Sequence, residues 1–235
     1  MSGLESIKDS TNLDALARHA LRYVKTGQTI GLGTGRAASA FIRAVAEAKL
    51  GIRGVPTSNA SEQLARSLGI EVVDLREAPR IDADFDGADE VDPSLNMIKG
   101  LGGAMVREKI VAAASKTRVF LVTEEKLVRR LGARGNLPVE VIPCASSYVS
   151  REIAKLGLKP AVRKAAGAEY VSDNGNSVLD CAVEKISNPA RLERSLLAIP
   201  GVVGTGLFIA MANVVLVMMN TGRIKTLRRT NVKAG

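Results

Sequence analysis

TIGLGTGRAASAFIRAVAEAKL, residues 29–50, begins as a strand and ends as a helix. Thr29–Leu32 reads as extended chain, Gly33-Thr34-Gly35 turns it, and a helix follows over 37–50. A strand passing through glycines into a helix is the repeating unit of an α/β fold. Gly33, Gly35 and Ala38 also satisfy the loose dinucleotide pattern G-x-G-x-x-A. A dinucleotide pocket needs an acid for the ribose about 20 residues on, at the end of the next strand. Val55-Pro56-Thr57-Ser58-Asn59 stands there instead, so the glycines read better as a phosphate loop.

Upstream, Leu13, Leu16, Ala17, Ala20, Leu21 and Val24 mark an amphipathic helix that stops near Gly27. His19, the only histidine, points away from that stripe and is expected at the surface, which leaves acid–base chemistry to carboxylates. Downstream the alternation continues with strand 51–55, helix 61–68, strands 70–75 and 81–85, a helix opening at Ala104 and strand 118–122. Such alternation implies a parallel sheet whose ligands gather outside the carboxyl ends of its strands. Residues 33–36, 86–89 and 99–103 fall at such ends or just beyond, so three separated motifs are expected at one edge.

Composition shifts near Asn136. Strand 139–142, helix 146–156, strands 158–162 and 177–183, helix 189–198 and strand 201–203 give β-α-β-β-α-β order, a small split α/β unit. Asp173-Asn174-Gly175-Asn176 supplies the hairpin turn between its middle strands. Apolar 208–219 and 224–227 read as strands returning to the first domain. The expected architecture is α/β: a Rossmann-like parallel-sheet domain from 1–135 and 207–235, with a small inserted α+β (ferredoxin-like) domain at 136–206.

The chemistry concentrates in DADFDGADEVDPSLNMIKGLGGAMVRE, residues 82–108. Six carboxylates, Asp82, Asp84, Asp86, Asp89, Glu90 and Asp92, fall inside eleven residues of a chain whose formal net charge is +9. Aspartates at every second position share one face of a strand, and such crowding raises carboxyl pKa values. A solvated acidic turn is the plain alternative. A calcium loop is another, since Asp82, Asp84, Asp86 and Gly87 match its positions 1, 3, 5 and 6. Pro93 stands where the closing Glu belongs and no helix precedes, so no metal site is expected.

Lys99-Gly100-Leu101-Gly102-Gly103 leads into AMVREKIVAAAS, where Met105, Val106, Ile110 and Val111 lie at helical spacing. A glycine loop opening a helix turns backbone N–H groups outward, which suits a phosphate or a developing oxyanion. Glu108, just over one turn inside, is either a chemical base or an acid placed to stabilise a helix N-terminus. Lys99 is either part of the site or an ordinary solvated lysine.

The chain's 235 residues include 3% aromatics and no Trp, so the core is expected from Val, Ile, Leu and Ala, a palette suited to helices on a parallel sheet. The length suits one large domain, or one plus a small insert. No early segment combines a basic start, an apolar run and a small-residue cleavage site. No apolar run reaches the ~18 residues of a membrane helix; the longest, 206–219, is broken by Asn213. Cys144 and Cys181 fit no metal or redox spacing and are expected as reduced core residues of a cytoplasmic protein. Positive charge draws phosphorylated ligands and nucleic acid alike. The basic cluster Arg223, Lys225, Arg228, Arg229 and Lys233 has no interleaved aromatics for base stacking and reads as a solvated tail.

DGADEVD (86–92), KGLGGAMVREKI (99–110) and GLGTGR (31–36) closely resemble ribose-5-phosphate isomerase of the A type. PTSNASEQLARSLGI (56–70), LPVEVIP (137–143), SDNGNSVLD (172–180) and IPGVVGTGLF (199–208) extend the likeness over nearly the whole chain. The resemblance implies interconversion of D-ribose 5-phosphate and D-ribulose 5-phosphate through an enediolate, in the non-oxidative pentose phosphate pathway, with no metal or organic cofactor. It implies Glu108 as the base moving a proton between C1 and C2, its carboxylate suited to the task if burial raises its pKa. Asp86 and Asp89, flanking Gly87 and Ala88, would hold the sugar hydroxyls and help open the ring, which makes Asp86 catalytic beside Glu108 and Lys99. Lys99 and the N–H groups of Gly100, Leu101 and Gly102 would stabilise the oxyanion, and Lys126 would be a further substrate-binding lysine.

Thr34, Gly35, Arg36 and Ala37 then form the phosphate loop, with a departure. The family commonly reads GTGST there, and Arg36 offers a charged fork in place of two hydroxyls. A lysine often found in the family's first helix falls here at Leu13 or Asp14, with Lys8 as a nearby substitute. The resemblance also implies a homodimer or homotetramer whose partner is a small-molecule sugar phosphate, not nucleic acid or a membrane. A sugar-phosphate-sensing regulator of the same fold would need a helix-turn-helix, for which the dozen residues before the first expected helix leave no room. A coenzyme A transferase shares the glycine loops and a glutamate, with poorer motif agreement. An isomerase of another sugar phosphate is the nearest alternative enzyme.

Overall fold

The structure, a computed structural model, describes residues 3–78 and 80–229, with the backbone alone for 3–10. The side chain of Lys8 and the whole of Lys233 therefore lie outside the described residues. The chain divides into two compact units, Met1–Gly87 with Ile110–Glu125 and Met211–Gly235, and Ala88–Lys109 with Lys126–Ala210. Residues 136–206 fall wholly in the second unit, which also takes in 88–109, 126–135 and 207–210.

The first unit holds a seven-stranded sheet in the order Ile224–Arg228, Val214–Met218, Ser115–Thr123, Ile81–Asp86, Thr29–Leu32, Arg53–Pro56, Glu71–Val72. All neighbours are parallel except Ile224–Arg228, which returns antiparallel on Val214–Met218. This is doubly wound: the chain walks from Thr29–Leu32 to one edge, crosses back, and walks to the other. Thr29–Leu32 and Val214–Met218 are buried along their whole length, as strands covered on both faces must be. Helix Arg36–Ala48 lays Phe41, Ile42 and Val45 into the core, where Phe41 stacks on Phe85 with ring centroids 4.2 Å apart. Fully burying each ring contributes about 1.5–3 kcal/mol. The first helix runs Gly3–Ala20, well upstream of the apolar stripe that marked it, and ends in a single 3-10 turn at Leu21–Tyr23. The strand expected over 70–75 shrinks to Glu71–Val72.

The second unit is built on a four-stranded antiparallel sheet in the order Val202–Thr205, Asn136–Val141, Ser177–Ala182, Lys159–Val162, with helices Ser146–Lys155 and Pro189–Leu197. This is the expected β-α-β-β-α-β order, closed on Leu137, Val139, Val149, Ile153, Leu179 and Leu196. Its middle connection is longer than one turn, because a ribbon of Lys164–Ala165 and Ala168–Glu169 precedes the turn at 172–176. A separate three-stranded sheet joins Leu207–Phe208, Met97–Ile98 and Glu90–Val91. Leu207 and Phe208 thus belong to this unit, and the strand expected over 208–219 starts only at Val214. Cys181 is buried as expected, whereas Cys144, in the 3-10 turn Pro143–Ala145, is exposed and no core residue. His19 is half-buried on the first helix; burial, then the charge of Arg22, lowers its imidazole pKa.

Candidate active site

In the first unit, the crevice of a doubly wound sheet opens where the strand order reverses, between the carboxyl ends of Thr29–Leu32 and Ile81–Asp86. The Gly33 N–H donates to the Phe85 carbonyl at 2.9 Å. A Cβ at Gly33 would strike the carboxylate and backbone of Asp86, so only glycine lets the two chain ends approach this closely. Asp86 is buried, and its Oδ1 accepts the N–H of Thr34 at 3.0 Å and of Gly87 at 2.7 Å. The Thr34 hydroxyl joins those of Thr57 and Ser58, each at 2.8 Å. Ser58 caps helix Asn59–Ser67 in a reciprocal capping box with Ser61. Gly35 opens helix Arg36–Ala48, whose first internal bond runs from Ser39 N–H to the Gly35 carbonyl, leaving the first-turn amides without intrahelical acceptors. Thr34, Gly35, Arg36 and Ala37 therefore stand at one strand end, beside Asp86 and Gly87 at the next. The sequence places Thr57 and Ser58 at the next strand end but does not mark them as site residues, although Ser58-x-x-Ser61 has the spacing that marks a helix start.

Asp82, Asp84 and Asp86 share a strand face but serve separate neighbours. Asp82 accepts the Thr29 N–H at 3.2 Å, and Asp84 lies buried where a Cβ of Gly31 would otherwise stand. Among the described residues no three His, Cys, Asp or Glu side chains converge as metal donors.

In the second unit, Lys99 follows Met97–Ile98, a strand of the small three-stranded sheet and not of the large one. Its N–H donates to the Gly206 carbonyl at 2.9 Å, and its Nζ lies 3.3 Å from Glu108 Oε2. Both side chains are all but sealed from water, at 3% and 5% exposure. Glu108 sits in the first turn of helix Met105–Ala114, where the helix dipole favours negative charge. Burying an ion pair is expensive in lost hydration, and here the residues on either side of Glu108 are tied down by hydrogen bonds. Arg107 donates from Nε to Asn174 Oδ1 at 2.8 Å and from Nη2 to the Asp173 carbonyl at 2.6 Å. That turn is in turn pinned by buried Glu140, whose Oε1 accepts from Ser172, Asn174 and Asn176 at 2.9 Å each. On the other side of Glu108, Lys109 donates to Glu193 Oε1 and to the Leu207 carbonyl, both at 2.6 Å.

The glycine loop leads from this pair. Asp89, half-buried, accepts the Leu101 N–H on Oδ2 at 3.1 Å, and Gly103 N–H closes a turn on the Gly100 carbonyl at 2.9 Å. Asp89, Lys99, Gly100, Leu101, Gly102 and Glu108 are thus brought together in one unit. Ala88 is half-buried at its start, and Lys126 ends a 3-10 turn, Glu124–Lys126, that follows strand Ser115–Thr123. Arg107, Glu140, Arg163 and Tyr170, which hold the loop and helix from behind, were missed. Only the SDNGN turn carried a signal, and it reads locally as a hairpin.

A carboxylate and an ammonium group 3.3 Å apart in a dry setting, followed by a glycine loop, are the kinds of group that can move a proton and offset a negative charge. The family model for ribose 5-phosphate isomerase A (phosphoriboisomerase A) matches residues 53–222. A curated ribose-5-phosphate isomerase A from Roseiflexus sp. is 47% identical over 208 residues, covering 86% of this chain and 89% of the relative. A solved D-ribose-5-phosphate isomerase in complex with phospho-erythronic acid superposes with a TM-score of 0.89 at 36% identity, covering 93% of this chain and 98% of the other. Ribose 5-phosphate isomerase A from Methanocaldococcus jannaschii gives a TM-score of 0.87 at 39% identity, with 93% and 98% covered.

Proposed function

This chain belongs to the ribose 5-phosphate isomerase A family and interconverts ribose 5-phosphate and ribulose 5-phosphate in the pentose phosphate pathway, and we propose that Glu108 is the base that does it. The observation that carries the assignment is the buried Lys99–Glu108 pair, 3.3 Å apart, at the start of a helix. An aldose becomes a ketose when a proton leaves C2 and another arrives at C1. One carboxylate facing both carbons performs both transfers, and the negative charge that builds on O1 and O2 needs donors. Lys99 and the amides of Gly100, Leu101 and Gly102 are those donors for an enediolate. Asp86, Gly87, Ala88 and Asp89 hold the sugar hydroxyls, Lys126 adds a further cation to the substrate, and Thr34, Gly35, Arg36 and Ala37 hold the phosphate. The roles rest on the residue types: acceptors for hydroxyls, and a helix start with a guanidinium for a dianion.

The test is turnover of ribose 5-phosphate by purified protein beside Glu108→Gln. Losing general acid–base catalysis lowers kcat by about 100- to 10,000-fold, with KM little changed. Equal activity in the variant would move the base elsewhere. A homodimer or homotetramer in the cytoplasm completes this reading, supported by exposed apolar Ile142, Tyr148 and Val203 in the second unit. Light scattering on the eluting protein decides it, and a monomer mass refutes it.

A further inference from the structure

Behind the glycine loop stands Arg163, immediately after strand Lys159–Val162, with its side chain only 11% exposed. Its Nη1 donates to two successive backbone carbonyls, Gly100 at 3.1 Å and Leu101 at 3.0 Å. Its Nε and Nη2 grip both oxygens of Asp180, at 2.9 and 2.5 Å. Asp180 is itself held by Asn136 Nδ2 at 2.9 Å. The guanidinium lies 5.6 Å from the Tyr170 ring centroid, and the Tyr170 hydroxyl reaches the next carbonyl, Gly102, at 3.4 Å. A Cβ at Gly103 would collide with that hydroxyl, so the loop is packed onto Tyr170 as closely as a glycine permits.

A trans peptide is planar, with its N–H and C=O pointing opposite ways. Two carbonyls drawn to one nitrogen therefore send the amides of Leu101 and Gly102 together to the far side. The direction is visible in the structure, because the Leu101 N–H meets Asp89 Oδ2 at 3.1 Å. A cation at the carbonyl ends also polarises both peptides and strengthens the donors. We infer that Arg163 is a positioning residue for the isomerase reaction, a brace anchored on Asp180 that fixes the two peptides of the loop, holding the Leu101 amide on Asp89 and aiming the Gly102 amide at the charge developing on the sugar. Its geometry is of a kind lysine cannot reproduce, since one ammonium cannot span two carbonyls and a carboxylate in a fixed plane.

This inference rests on the glycine loop being the oxyanion site, and the experiment separates the two. Arg163→Lys and Arg163→Gln are compared with wild type for kcat, KM, inhibition by phospho-erythronic acid, and amide 1H–15N resonances of the loop. The planar carboxylate of that acid stands in for the two enediolate oxygens. Expected in both variants are a kcat lower by about 10- to 100-fold, a KM within about 3-fold, weaker inhibition by the acid, and shifted Leu101 and Gly102 amides. Arg163→Lys keeps the charge and secures the comparison should Arg163→Gln fail to fold. A loss confined to KM, or loop amides that stay in place, overturns the role of Arg163. Loop amides that shift while kcat and inhibition stand overturn the oxyanion reading of the loop, and the inference with it.

Discussion

A single missing methyl group sets the geometry at Gly33. A Cβ there would occupy the space of the Asp86 carboxylate, which cannot retreat because it is buried and accepts the amides of Thr34 and Gly87. Gly33→Ala is therefore expected to cost about 1–3 kcal/mol in overpacking, read as a lower urea midpoint, and to raise KM through displacement of the Thr34 loop. Unchanged stability would mean that the strand ends have room to part. The two cysteines make a second contrast. Burial, then the charge of neighbouring Asp180, pushes the Cys181 thiol up to about 12, while Cys144 is exposed. A colourimetric thiol titration should count one thiol in the native protein and two after denaturation; two in the native state would place Cys181 within reach of solvent. At this scale the sequence was legible where a residue announces itself to its neighbours. Gly33, Lys99 and Glu108 sit in runs whose composition is abnormal, but Arg163 acts on carbonyls 62 and 63 residues away and looks locally like any basic residue in a strand end. Cys144 was misread for the opposite reason: cysteine is usually buried, and nothing beside it says otherwise.

Elements were legible in proportion to their length. Thr29–Leu32, Ile81–Asp86 and Ser115–Thr123 carry enough apolar residues to declare strands, and the β-α-β-β-α-β order of the second unit followed from spacing alone. Glu90–Val91, Met97–Ile98 and Leu207–Phe208 are two residues each, too short for any period, yet they carry Lys99 out of the large sheet. The first turns of helix Gly3–Ala20 were missed because their residues lack an apolar repeat. The Arg163–Asp180 brace links the strand pair Lys159–Val162 and Ser177–Ala182, and its strength depends on pH. Burial raises the Asp180 pKa, but hydrogen bonds from Arg163 and Asn136 and the Arg163 charge outweigh it, leaving the pKa below its ordinary 3.8. The unfolded chain then takes up the proton first, so the contribution is whole above the unfolded value and fades as pH falls through the folded one. Asp180→Asn should lower the melting temperature by a constant margin at neutral and mildly acidic pH, and that margin should narrow below about pH 4. A margin independent of pH would show that the carboxylate charge adds nothing to the brace.

For the whole molecule, the net charge of +9 is a statement about encounter, since the substrate is a phosphate ester and carries negative charge. Raising ionic strength from about 10 to 150 mM shortens the screening length from ~30 to ~8 Å, so kcat/KM should fall several-fold while kcat holds. A flat response would assign capture to contacts at the phosphate loop alone. The large sheet adds a consequence of another kind. One of its ends is a two-residue strand, Glu71–Val72, and the other, Ile224–Arg228, turns Lys225, Thr226 and Arg228 to solvent. Backbone groups at a sheet margin invite further strands, and a stub on one side with a charged fringe on the other refuses them. Neither margin of the large sheet is therefore a ready template for a fibre, and growth by adding strands to it is disfavoured.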